Sequence, residues 1–163
     1  MVASASFKTF GGGTDHLCLP YNPDRGNYNT SADFVSWIRN VEYITWSYGI
    51  FSSYRHKKHA VCSVCYTQTR PAVHVFPGWR SCPSGWTREY YGYMMASAEH
   101  YLHPSNYVCV DTNPDYKHLA NTGQGGGLTF VNIDCEGEGS IEVCSGSSQY
   151  VHGRQLTCVV CSR

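Results

Sequence analysis

Short runs of β-branched and aromatic residues, each bounded by turn-forming residues, recur along the chain. Val73–Phe76, Tyr107–Asp111, Leu128–Ile133, Ile141–Cys144 and Leu156–Cys161 have the length and composition of strands. Between them lie turn signals. Asn-Pro-Asp occurs at 22–24 and again at 113–115, where Pro fixes φ and the Asx side chains cap the turn. Gly11–Gly13 and Gly123–Gly127 read as flexible loops. Only Ala32–Tyr43 has helical spacing, with Phe34, Ile38 and Val41 roughly on one face and Ser31 as a cap. The pattern predicts a mainly β fold.

The runs also repeat. "VCSVCYTQTR" from Val61 is similar to "LTCVVCSR" from Leu156, "LCLPYNPD" from Leu17 to "VCVDTNPD" from Val108, and "MVASASF" from Met1 to "MMASAEHY" from Met94. The three matches keep the same order and similar spacing, which divides the chain into a first repeat, 1–66, and a second, 67–163. The second repeat opens with Ser81-Cys82-Pro83-Ser84-Gly85-Trp86, for which the first has no counterpart. The first repeat is therefore expected to be truncated at its N-terminal side, and to lack one cysteine.

Composition places these strands in an oxidising setting. The 163 residues include 9 cysteines and 13 tyrosines, and only 15% are charged, against about 25% in an average domain. Dense cysteine in a low-charge, Gly- and Tyr-rich chain points to export. The formal net charge is zero, so no basic surface suggests nucleic acid or anionic lipid. No stretch approaches the about 18 apolar residues of a membrane helix. Val2-Ala3-Ser4-Ala5-Ser6 has neither the basic start nor the apolar run of a signal peptide, and any leader is taken as removed. Asn29-Thr30-Ser31 is a glycosylation acceptor.

The cysteines admit three readings. His56, His59, Cys62 and Cys65 are spaced three apart, and two Cys-x-x-Cys pairs offer four thiolates for zinc. Zinc ribbons, however, separate their pairs by about 15–20 residues, whereas here one pair closes each repeat; "RHKKH" at 55–59 also reads as a solvated basic turn. A thioredoxin-like redox pair belongs at a helix start in a βαβ unit, and these pairs lie in β-like runs. A disulfide framework is the favoured reading, with no metal and no cofactor. The six cysteines of the second repeat allow fifteen connectivities. Cys135 and Cys144 flank an acidic loop and can close it locally; the rest stay open on sequence grounds.

"CSVC…CPSGW…YYGYMM" resembles the C-terminal non-collagenous domain of type IV collagen, and the whole chain resembles the short-chain, spongin-type collagens of invertebrates. The matching residues are Cys62, Val64, Cys65, Cys82, Pro83, Gly85, Trp86, Gly92, Tyr93 and Met95, followed by the terminal "TCVVCSR". The resemblance covers nearly the whole chain. It implies two similar β-rich subdomains stapled by disulfides. By its pattern the pairs are Cys82–Cys161, Cys109–Cys158, Cys135–Cys144 and Cys18–Cys62, leaving Cys65 as a free or intermolecular thiol. Two departures stand out: the first repeat has no local loop pair, and no Gly-X-Y tract is present, so this chain cannot form a triple helix by itself.

The resemblance implies a secreted structural or interaction module that self-associates as a homo-oligomer and engages extracellular matrix chains. The alternative is a lectin. Sugars stack on exposed rings, and their hydroxyls need polar partners. Trp37, Trp46, Tyr48 and Tyr54 lie in one polar–aromatic stretch, and His100, His103 and Asn106 in another. An enzyme is not expected: Gly-x-Ser-x-Gly, His-Glu-x-x-His and a lysine-bearing phosphate loop are all missing, and Glu136 with Glu138 reads as a solvated acidic loop.

Overall fold

A computed structural model describes the chain apart from residues 25, 28–34, 47, 119–122, 124, 137–143 and 145–148. The described residues form ten strands and no α-helix: β1 Val2–Ser4, β2 Leu17–Cys18, β3 Arg39–Tyr43, β4 His59–Ala60, β5 Val73–Pro77, β6 Thr87–Ala96, β7 Val108–Asp111, β8 Tyr116–Lys117, β9 Gly126–Phe130 and β10 Thr157–Ser162. The protein is mainly β. It divides into two compact units. One comprises Met1–Cys65, Ala96–Asn106 and Asn113–Thr129; the other comprises Tyr66–Met95, Tyr107–Thr112 and Phe130–Arg163. The first segment of the first unit ends at Cys65, and two later segments join it.

In the first unit β3 is the hub. Its start pairs antiparallel with β1, Ala3 opposite Asn40 and Ser4 opposite Arg39. Its end pairs parallel with β9, from Val41 opposite Gly126 to Tyr43 opposite Leu128. Glu42 lies opposite His59 of β4. β2 flanks β1, and β8 flanks β4. Ala3, Val41, Tyr43, Ala60 and Leu128 are buried. The helix expected over Ala32–Tyr43 is therefore replaced by a strand over its last five residues. Of the expected apolar face, Ile38 is exposed while Val41 is fully buried, and residues 32–34 lie outside the described ones. Three neighbouring strands satisfy the backbone of 39–43 better than one turn of an isolated helix could. The loop expected over Gly123–Gly127 likewise gives way at Gly126, where β9 begins.

The second unit is an antiparallel sheet in the order β5–β10–β6–β7. β10 lies between β5 and β6, and Cys158 to Ser162 are all buried. Its register on β6 shifts between Val160, opposite Tyr90, and Cys161, opposite Arg88. Glu89 is thereby skipped, as in a β-bulge. Its carboxylate accepts hydrogen bonds from the Ser162 hydroxyl and from Arg70 Nη2 at 3.1 Å. Those two donors, the Ser162 hydroxyl foremost, hold the Glu89 carboxyl below its ordinary value. Gly92 lets β7 close on β6: a Cβ there would stand 1.7 Å from the Val110 carbonyl oxygen.

Of the expected strands, Val73–Phe76, Tyr107–Asp111 and Leu156–Cys161 coincide with β5, β7 and β10 within a residue or so at each end. Leu128–Ile133 is a strand only through Phe130, after which Asn132 makes a single bridge to Gln155. Residues 141–143 of the expected Ile141–Cys144 strand lie outside the described ones. β6, the longest strand, is not among the expected ones: Thr87, Arg88 and Glu89 are polar and Gly92 interrupts the run that follows.

Four disulfides are formed: Cys18–Cys62, Cys82–Cys161, Cys109–Cys158 and Cys135–Cys144. The two Cys-x-x-Cys pairs differ in setting. Cys158 and Cys161 lie in β10, while Cys62 and Cys65 lie past the end of β4 in no strand. Val64 and Tyr66 there are exposed and pair with no neighbouring strand. Four bridges suit an oxidising, extracellular setting. No helix among the described residues is long and apolar enough to cross a membrane.

The bridges differ in the chain they close. Cys109–Cys158 spans 49 residues and Cys135–Cys144 spans 9. Chain entropy alone predicts losses of about 4 and about 2.6 kcal/mol on replacing both partners by serine. The Cys109→Ser/Cys158→Ser protein is thus expected to be less stable than Cys135→Ser/Cys144→Ser by ~1.5 kcal/mol, and by more where the buried serines go unsatisfied. Urea midpoints of the two variants check it; equal midpoints would contradict it.

Candidate functional site

The β3–β4 connection, residues 44–58, carries the densest polar–aromatic chemistry of the first unit. It is closed at its base by Tyr43 N–H to the Lys58 carbonyl (2.9 Å) and Lys57 N–H to the Tyr43 carbonyl (2.8 Å). Two non-glycine residues in it have left-handed backbone, Trp46 at φ 45° and Lys57 at φ 58°. That conformation is costly for a bulky residue and persists only where contacts enforce it. At Trp46 the enforcing contact is His56. The backbone N–H of Trp46 donates to His56 Nδ1 at 3.1 Å, and the indole stacks on the imidazole at 4.3 Å and 25°. Tyr54 meets the same imidazole edge-on at 6.1 Å. Trp46 and Tyr54 nevertheless keep 59% and 56% of their surface exposed. The result is a two-ring platform held from below by a buried histidine.

The wall beside it is cationic. Arg55 is buried and fully engaged: Nε donates to the Pro114 carbonyl at 2.7 Å, Nη2 to Asn113 Oδ1 at 3.1 Å, and Nη1 to the Ser53 hydroxyl. Its guanidinium lies over Tyr116 at 4.6 Å, and Lys58 Nζ lies over the same ring at 5.8 Å. Lys58 Nζ is 2.9 Å from His118 Nδ1. Ser52 donates to Asn113 Oδ1 at 2.7 Å. The second Asn-Pro-Asp turn is thus the receptor for the 52–58 loop. "RHKKH" is not a solvated turn: Arg55, His56 and His59 are buried, and only Lys57 is fully exposed. Oxygen acceptors and an aromatic face make burial of Arg55 tolerable, and the Trp46 N–H and ring do the same for His56.

Beneath the platform lies a buried acid and its neighbours. Glu42 Oε1 accepts from the Gly123 N–H at 2.7 Å. Glu42 Oε2 and both ring nitrogens of His59 are buried with no hydrogen-bond partner among the described residues. Burial, and secondarily the negative charge of Glu42, raises the Tyr101 hydroxyl above its ordinary value. No signal in the sequence marked Glu42, because it sits among apolar residues of a strand read as helix. Cys62 is bridged to Cys18, so the His56, His59, Cys62, Cys65 set is not a thiolate site. Among the described residues no group of three His, Cys, Asp or Glu side chains is arranged to hold a metal ion.

The remaining sequence-derived candidates are dispersed. Trp37 and Tyr48 are exposed, and no ring contact between described residues joins them to Trp46. His100, His103 and Asn106 serve the Gly11–Asp15 loop and its surroundings. His103 is buried with Nε2 3.1 Å from the Gly13 carbonyl oxygen, Asn106 donates from its backbone to Thr14 and from its side chain to Asp15, and His100 packs edge-on against Tyr101, which stacks on Phe7. Of these three side chains, His103 and Asn106 make polar contacts within the chain, and His100 is exposed with a ring contact alone. Asn29 lies outside the described residues, as does Glu138. Glu136 faces His152 at 3.8 Å. Cys65 is exposed and carries no bridge.

Fold and site together define a disulfide-stapled, mainly β protein with an aromatic–cationic surface loop. No protein-family model matches the chain, and no solved structure matches it.

His56 makes the platform pH-sensitive. Burial, reinforced by Lys57 and opposed by Glu42, holds its imidazole below the ordinary value. His16 is lowered likewise, by burial against the opposing pull of Asp15. A histidine depressed in the folded state stays neutral while its unfolded counterpart takes a proton. Stability is therefore highest above the unfolded value of about 6.5, and declines as pH falls through it toward the folded value. Protonation at Nδ1 also removes the acceptor for Trp46. The expected outcome is a lower urea midpoint at about pH 5.5 than at about pH 7.5, with a smaller difference in His56→Phe, which keeps a ring under Trp46. An unchanged difference in that variant would contradict the assignment to His56.

Proposed function

We propose that the protein is a secreted extracellular structural module whose two similar subdomains, akin to those of the type IV collagen non-collagenous domain, mediate self-association or matrix assembly without catalysing a reaction. The observation that carries this reading is the segment around Cys65. In a chain whose other eight cysteines are bridged, Cys65 is exposed with its thiol free, between Val64 and Tyr66, which keep 87% and 85% of their surface exposed. An odd cysteine in an oxidising setting is a candidate for pairing between chains, and exposed apolar neighbours add contact area to such a pairing. Strand addition at the first repeat is the weaker route, because β1 already lies between β2 and β3 and the outer strand β2 is only two residues long.

Light scattering on the native protein at tens of micromolar tests it. A dimer mass is expected, converted to monomer by reductant and lost in Cys65→Ser. A monomer that reductant leaves unchanged would overturn the reading.

The second reading, a carbohydrate-binding module, is favoured by one observation: the Trp46–His56–Tyr54 platform presents two half-exposed rings in a held orientation. Rigid aromatic anchors of this kind dominate binding energies. On a glycan array, Trp46→Ala is expected to lose at least about tenfold of any signal, the ~1.4 kcal/mol equivalent of one decade. Signal equal to that of the unaltered protein would place sugar binding elsewhere.

A further inference from the structure

The second unit holds a cleft of about 660 Å³, within the range of small-ligand sites. Its walls come from the β5–β6 turn, from β6, and from the segments around Tyr150 and Arg154. None of the candidate binding residues read from the sequence lines it.

Three features give it a definite chemistry. The first is a backed aromatic face. Trp79 stacks on Phe76 at 5.6 Å and 14°, which fixes one face of the indole, yet half of its surface stays exposed. Tyr93 and Tyr150 add rings to the same cleft. Gly78, at φ 81°, makes the approach of Tyr150 possible: a Cβ there would stand 2.6 Å from the Tyr150 hydroxyl oxygen. The second is the sign of the charge. Arg80 and Arg154 line the cleft and, among the described residues, no Asp or Glu does, although the chain as a whole carries equal numbers of acids and bases. The guanidinium groups of Arg80 and Arg88 both lie 5.0 Å from the centre of the Tyr91 ring, and Arg88 Nη1 donates to the Arg80 carbonyl at 3.2 Å. Two like charges are thus gathered on one ring, and no described carboxylate forms an ion pair with Arg80, Arg88 or Arg154. The neighbouring acids, Asp134 and Glu136, face His152 at 3.4 and 3.8 Å. The third is a pair of neutral amides, Gln149 and Gln155, able to donate to and accept from hydroxyls.

We infer that this cleft binds an acidic saccharide unit, bearing a sulfate or a carboxylate, with the sugar's apolar face on Trp79, its anionic group held by both Arg80 and Arg154, and its hydroxyls on the glutamine amides. The rings favour a sugar over an acidic peptide, because they need a flat apolar partner as well as a charge. The two guanidinium groups that line the cleft, with no ion-pair partner among the described residues, favour an anionic sugar over a neutral one, since Arg forms paired, directional hydrogen bonds to such groups. The assignment is independent of Cys65 and of the Trp46 platform, so self-association and this binding can fail separately.

Calorimetric titration of the full chain with a chondroitin 6-sulfate disaccharide tests it, with chitobiose and a tri-aspartate peptide as comparison probes. Binding is expected to be at least tenfold tighter for the sulfated disaccharide than for either comparison, and to weaken as salt is raised. Arg80→Gln/Arg154→Gln and Trp79→Ala are each expected to lower affinity tenfold or more. Arg70→Gln, whose guanidinium is paired with Glu89, leaves it unchanged. Thermal unfolding verifies that each variant folds; should the double variant not fold, Arg154→Gln alone, at an exposed side chain, decides. The inference is overturned by absence of binding at disaccharide concentrations up to about 10 mM, where even a ligand worth only about −3 kcal/mol would register. It is equally overturned by equal affinity for chitobiose or tri-aspartate, or by an Arg154→Gln protein that binds like the unaltered one.

Discussion

The second unit depends on two disulfides carried by one buried strand. Cys158 and Cys161 in β10 are fully buried and reach Cys109 on β7 and Cys82 in the β5–β6 connection. Residues three apart on a strand face opposite sides, so the two cysteines send their bridges in different directions, and the register shift beside Cys161 places its extra residue, Glu89, on β6. One short strand therefore ties down the two segments that the sheet alone would leave loosest. The same shift exposes Glu89, which Ser162 and Arg70 then hold in place. Small apolar content is tolerable in such a unit because cross-links constrain the unfolded chain.

The first unit solves the same problem differently. It has one bridge, Cys18–Cys62, and a core of small apolar side chains with polar groups among them. Arg55 and His56 do there what a second disulfide does in the other unit: they fasten a loop to the strands through several directed contacts. Buried polar groups are costly when unpaired and stiffening when paired. Arg55 is paired throughout; His59 and one oxygen of Glu42 have no partner among the described residues. The strain at Trp46 belongs to this arrangement, because the histidine that accepts its N–H also fixes its ring.

Both surface features of interest follow from backbone constraint rather than from large apolar patches. The Trp46–Tyr54 platform exists because a left-handed residue is pinned over a buried imidazole. The second-unit cleft exists because a left-handed glycine, Gly78, admits the Tyr150 hydroxyl where any side chain would block it. In each case a turn conformation places rings that are exposed yet not free to rotate away, the condition under which an aromatic side chain loses least entropy on binding.

The sequence by itself determined the β character and the strands β5, β7 and β10, since these follow from short-range pattern. Spacing alone left the cysteine pairs among fifteen alternatives for the second repeat, and the pairs formed are those expected from the resemblance to collagen-type domains, a resemblance that no family model or solved structure supports. What only the tertiary structure decided is where polar residues go. Glu42, Arg55, His56 and His59 look like solvent-exposed residues in a local window, yet all four are buried; Glu42 meets the N–H donor of Gly123, and Arg55 meets acceptors on Pro114 and Asn113, far along the chain. Arg39–Tyr43 has a helical period locally and becomes a strand because β1, β4 and β9 offer it hydrogen bonds. The cleft was invisible for the same reason: Trp79, Tyr150 and Arg154 are brought together only by the antiparallel return of β10 along β5 and β6. Local pattern reports the period of a segment; the partners that satisfy buried polar groups are non-local, and only the folded chain assigns them.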